Sequence, residues 1–97
     1  MLPVCKEVYI LDFMKRNQNE PMFVYYPMAL PHGPTEPTPS EPDAKGKRAQ
    51  FKAMVRYTDT LLGRLLTHLD RSGESDQTIV IWLTDNGSAG GVTGNRQ

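Results

Sequence analysis

Three residues of this chain have the type and setting to do chemistry: His32, Asp85 and Asn86. The last two close the stretch Thr78-Ile-Val-Ile-Trp-Leu-Thr-Asp85-Asn86-Gly87, where an apolar, largely β-branched run ends abruptly in an acid, an amide and a glycine. A carboxylate beside an amide oxygen is a hard-cation donor pair of the kind Ca²⁺ or Mg²⁺ takes. On these ten residues alone the simpler reading is a turn, because Asp-Asn-Gly suits positive φ. His32 stands in Pro31-His32-Gly33-Pro34. A histidine can pass a proton or make a charge-assisted hydrogen bond near neutral pH. By itself, a lone histidine among prolines is more commonly an ordinary loop residue.

The elements that must position these residues follow from the pattern. Residues 4–17 predict a helix, with Val4, Val8, Leu11 and Met14 on one stripe and Lys6, Glu7, Asp12, Lys15 and Arg16 mainly elsewhere. Asn17 to Pro21 stops it. Met22-Phe-Val-Tyr-Tyr26 predicts a short apolar strand closed by Pro27. Six of the eight prolines fall between Pro27 and Pro42, which requires a stiff, irregular loop. Residues 43–71 predict the longest helix, its apolar positions from Phe51 to Leu69 recurring at three- and four-residue intervals. Ser40 or Asp43 can cap its start and Gly73 can supply a left-handed stop. The run from Thr78 reads as a strand buried on both faces, and ligands gather beyond the carboxyl ends of such strands.

Strand, helix and strand joined in this way imply a right-handed βαβ crossover and a parallel pair, hence an α/β fold. Two doubly buried strands need neighbours, and two helices cover only one face well. The 97 residues are therefore expected to be part of a larger α/β protein.

Composition narrows the function. Eleven basic and eleven acidic residues balance, so no field points to nucleic acid or an anionic membrane. No apolar run approaches the roughly 20 residues that span a bilayer. Cys5 is the single cysteine, which rules out an intrachain disulfide and reads as a buried spectator thiol. His68, within the long helix, reads as structural or exposed. Asp59, mid-helix, is expected to bond to neighbouring groups rather than to a metal. Lys45, Lys47, Arg48 and Lys52 form a basic helix start that opposes the helix dipole and reads as a solvated face.

Taken in order, four motifs resemble the sulfatase family of the alkaline phosphatase superfamily. Pro21-Met-Phe-Val-Tyr-Tyr-Pro27 resembles the family's strand leading to the site. Pro31-His32-Gly33-Pro34 resembles its PHxP loop. Met54 to Leu66 resembles its long helix, with Asp59 four residues before Gly63. Asp76 to Gly87 resembles its strand and metal turn. The resemblance covers nearly the whole chain, most clearly from about residue 20 to 88. It implies a parallel-sheet, three-layer fold of which this chain is a helix–strand–long loop–helix–strand fragment. It also implies that Asp85 and Asn86 ligate a divalent metal, usually Ca²⁺ with Mg²⁺ as the alternative, and that His32 contacts the substrate's sulfate.

The family's nucleophile is a formylglycine made from the cysteine or serine of a C/S-x-P-x-R motif, and no such motif occurs here. Cys5 is followed by Lys-Glu-Val-Tyr and cannot be carried over. The paired N-terminal aspartates, the lysine–histidine sulfate contacts and the lysine that follows the metal turn are also absent. Residues 1–97 are therefore expected to be an internal segment of a sulfatase catalytic domain, inactive alone. In the intact enzyme a sulfate ester, R–O–SO₃⁻, an aryl sulfate or sulfated glycan, would be hydrolysed. A phosphodiesterase or phosphonate hydrolase of the same superfamily, and a non-catalytic glycan-binding remnant, stand as alternatives. The compartment stays open; the resemblance is compatible with an exported parent.

Overall fold

The computed structural model describes residues 2–87, and side chains from residue 6 onward. The expectation for the Cys5 thiol and the tail from Ser88 lie outside the described residues. Two helices carry the structure: α1, Leu2–Arg16, and α2, Lys47–Ser72, followed by a short 3₁₀ turn at Ser75–Gln77.

The end of α2 follows from its residues. Gly73 takes a left-handed conformation (φ 77°), and its N–H and that of Glu74 bond back to Asp70 and Leu69 carbonyls at 3.2 and 2.9 Å. A side chain would strain that φ, so glycine makes the stop inexpensive. Ser75 Oγ adds a hydrogen bond to Asp70. The start lies four residues later than position 43. Gly46 is the N-cap at φ 86° with no side-chain cap, so neither Ser40 nor Asp43 fills that role. A residue at positive φ cannot sit inside a right-handed helix. Residues 41–44 instead form a turn, with Ala44 N–H donating to the Glu41 carbonyl at 3.3 Å.

The core lies along one side of α2. Met54, Tyr57 and Leu61 are buried and enclose Leu30 from the loop, with Met28 packed against them. Leu69 and Ala53 are also buried, whereas Val55 and Leu66 of the same apolar repeat are exposed. The face α1 turns inward also differs from the expected stripe. Met14 is buried as expected, but Val8 is 59% exposed and Glu7 only 1% exposed. Arg64 explains the exchange: its Nη1 donates to Glu7 Oε2 at 3.2 Å, tying α1 to α2. A carboxylate tolerates burial when a cation meets it, and here one oxygen is met while Oε1 has no partner among the described residues.

The two predicted strands are extended but do not form a sheet. Among the described residues there is no β-ladder, only an isolated bridge between Thr38 and Glu41. Phe23 is 90% exposed and Ile79 89% exposed, and Tyr25, Ile81, Trp82 and Leu83 stand in solvent with them. The physical reason is supply. A doubly buried parallel pair needs strands at its edges and layers on both faces, and two helices committed to each other provide neither. Among the described residues no helix is long and apolar enough to cross a membrane.

Candidate functional site

The Pro-rich loop that carries His32 is anchored on both sides of the histidine. Before it, Leu30 inserts among Met54, Tyr57 and Leu61. After it, Thr35 Oγ1 donates to Gln50 Oε1 at 3.1 Å, and Gln50 Nε2 donates onward to the Ala44 carbonyl at 3.2 Å. Thr38 is buried, and Glu41 N–H closes a turn on the Thr38 carbonyl at 3.0 Å. Glu41 then receives both forks of Arg56, from Nε at 2.8 Å and Nη2 at 2.6 Å. That guanidinium holds the Glu41 carboxyl below the usual carboxylate range, chiefly through its hydrogen bonds.

His32 itself stays exposed between these anchors. Its Nδ1 lies 2.6 Å from the Gly33 carbonyl oxygen. A carbonyl can only accept, so Nδ1 must carry the proton and donate. Nε2 is then the nitrogen left to meet a ligand, either as acceptor in the neutral ring or as donor in the cation. The ring borders an open hollow of about 670 Å³, lined among others by Leu30, Pro34, Glu36, Thr38, Pro39 and Met54. Its walls are mainly apolar. The Thr38 hydroxyl is buried there without a hydrogen-bond partner among the described residues.

Asp85 and Asn86 lie on a bend after the extended Thr78–Thr84 segment, and both are exposed. They are adjacent in the chain, so a carboxylate and an amide oxygen can face one cation. Among the described residues no group of three or more histidine, cysteine, aspartate or glutamate side chains could hold a metal ion. Among the described residues no hydrogen bond or ion pair ties this bend to the His32 loop. The histidine is thus set by the chain's own packing, whereas the two metal-ligand candidates are not.

The remaining candidates sort readily. Asp59 is exposed on α2, and the side-chain bonds expected of it are not found among the described residues. His68 is half-buried, its Nε2 without a partner among the described residues. Lys45, Lys47, Arg48 and Lys52 are exposed around a second open hollow of about 450 Å³ at the start of α2, as a solvated face would be. Thr35, Glu41, Gln50 and Arg56 escape a reading of the sequence, because only the path of the loop brings residues fifteen apart together. Burial raises the pKa of the Tyr26 phenol, with a further push from the Glu7 carboxylate, which places this residue beside the α1–α2 junction.

An exposed histidine loop, a long helix and an Asp-Asn bend follow one another here in the order that the sulfatase resemblance implies. The sulfatase family profile matches residues 8–96, and the chain belongs to that family. Family membership implies an alkaline-phosphatase-like fold. The chain is 33% identical over 89 residues to N-acetylgalactosamine-6-sulfatase of Canis lupus familiaris, an alignment covering 86% of this chain and 17% of that protein. To the Homo sapiens N-acetylgalactosamine-6-sulfatase it is 32% identical over 81 residues, 81% of this chain and 15% of the relative. An uncharacterized sulfatase of Schizosaccharomyces pombe is 43% identical over 42 residues, 43% of this chain and 8% of the relative. The chain thus spans no more than about a sixth of the curated relatives' length. No solved structure matches it significantly.

Proposed function

We propose that residues 1–97 are a segment of the catalytic domain of an enzyme that hydrolyses sulfate esters, and that they supply its histidine loop and part of its metal site. The observation that carries this reading is His32: an exposed ring between two anchored loop segments, its Nδ1 committed to Gly33 and its Nε2 open beside a hollow. Such a ring can donate to a sulfate oxygen or steady the leaving oxygen as charge builds there. The apolar, proline-lined hollow suits the non-sulfate part of the substrate, and the names of the two mammalian relatives favour a sulfated amino sugar.

Asp85 and Asn86 would hold the divalent cation, Ca²⁺ or Mg²⁺. Their oxygens fit a hard cation in kind but not in number, since six to eight oxygens are wanted and two side chains give at most about three. When bound, the cation supplies charge that favours sulfate and nucleophile together. The formylglycine nucleophile would come from a part of the domain whose motif this chain does not contain. The 97-residue chain alone should therefore bind metal weakly and turn over nothing.

The test is made on the intact enzyme that carries this segment, assayed with 4-nitrophenyl sulfate, a 6-sulfated N-acetylgalactosamine and bis-4-nitrophenyl phosphate. Turnover of the sulfates, lost on chelation and reduced about 10²- to 10³-fold by His32→Ala, is the expected result. Turnover of the phosphodiester with neither sulfate accepted would replace this reading by a phosphodiesterase of the same superfamily.

A further inference from the structure

We propose that Arg56, Glu41 and Gln50 are positioning residues for His32, forming a latch that lays the Pro-rich loop along α2. This inference rests on the sulfatase reading for its consequence in turnover, but not for its structure. Two links join loop to helix with the same offset of fifteen residues: Thr35 to Gln50 and Glu41 to Arg56. The loop therefore climbs α2 in step with it. Six helical residues rise about 9 Å, so the two links span nearly two turns of one rigid rail. Gln50 bridges, accepting from Thr35 and donating to Ala44, which joins the two ends of the latch.

The energetics argue for a geometric role. Arg56 is mostly in water and Glu41 about a third exposed, a setting in which ion pairs contribute little to stability. What a two-pronged guanidinium–carboxylate contact adds is direction, because the planar fork fits in one orientation. With Leu30 seated in the core on the near side, the links on the far side leave only the short span Pro31-His32-Gly33-Pro34 between anchors. The ring is then placed within a few ångströms by groups that never touch the substrate. A displacement of about 1 Å at a reacting group can cost about 10²-fold in rate, so such placement matters.

The experiment is ¹⁵N NMR of the His32 ring in the 97-residue chain, with helix content followed by circular dichroism. In the parent chain Nδ1 should read as the protonated, donating nitrogen. Arg56→Ala and the milder Glu41→Gln should both move the ring signals toward those of a histidine in a free peptide, with helix content unchanged. The charge swap Glu41→Arg with Arg56→Glu should return them at least halfway, a rescue that general destabilisation cannot produce. In the intact enzyme, Arg56→Ala should lower kcat/KM about 10- to 100-fold, mostly in kcat. Ring signals that stay put in both single variants would overturn the latch, as would a swap that leaves them displaced. Failure of the sulfatase reading is separate: it would show as an intact enzyme inert on sulfate esters, with the ring signals still dependent on Arg56.

Discussion

The His32 loop and the Asp85–Asn86 bend are expected to serve one site, yet they are built in opposite ways. The loop has almost no regular structure but is fastened at Leu30, Thr35 and Glu41 to the body of α2. The segment before Asp85 has the stronger secondary-structure signal, and it stands in solvent with Ile79, Ile81 and Leu83 exposed. Local pattern and local order are therefore different things. Prolines and side-chain links order an irregular loop from within 97 residues, whereas a buried strand is ordered only by strands and layers on either side.

The largest effect expected from this contrast is at the bend. In the intact enzyme Asp85→Ala should cut metal-dependent turnover by about three orders of magnitude, since a ligand to the charge-stabilising cation is lost. Added Ca²⁺ titrated against kcat checks it, and undiminished turnover without metal would remove Asp85 from the site. Next comes the core under the loop. Leu61→Ala empties a fully buried position and should cost about 2–4 kcal/mol by urea denaturation. Arg64→Ala leaves the buried Glu7 carboxylate without its cation and should cost about 1–3 kcal/mol, below the usual cost of breaking a buried pair because Arg64 is half in water. Ile81→Asn should change the chain's stability by less than about 0.5 kcal/mol, because this side chain, 74% exposed, contributes little buried surface. A cost comparable with that of Leu61→Ala would show that the strand is packed after all.

The smallest effect is in pH. The Glu41 carboxyl is held below its ordinary range by Arg56, so its contribution is present above the unfolded-state value and fades as pH falls through the lowered one. Loop opening, measured as amide exchange corrected for its intrinsic pH dependence, should thus be flat near neutral pH and rise only on acidification below the ordinary carboxylate range, with high salt acting in the same direction. A rise centred near neutral pH would assign the latch to another group.

These contrasts explain what the sequence could disclose. Both helices were legible because periodicity and Gly73 are local signals, and the family was legible because four motifs keep their order. The start of α2 was misplaced because Gly46 at positive φ outweighs two good capping residues nearby. The pattern sets Glu7 off the apolar stripe because its charge has no visible partner nearby, and Arg64 lies fifty-seven residues away. The strands kept their extended backbone but not their pairing, since pairing belongs to partners that periodicity cannot name. His32 is singled out by its motif, while the groups that anchor its loop are an ordinary Glu, Gln and Arg with no motif of their own.

The most direct test of this account is backbone ¹⁵N relaxation of the 97-residue chain, comparing Thr35–Glu41 with Ile79–Asn86. The loop should show order parameters near 0.8, close to those of α2, and the segment before the bend values below about 0.6. Equal order in the two regions would contradict the claim that this chain presets its histidine and leaves its metal turn to the rest of the domain.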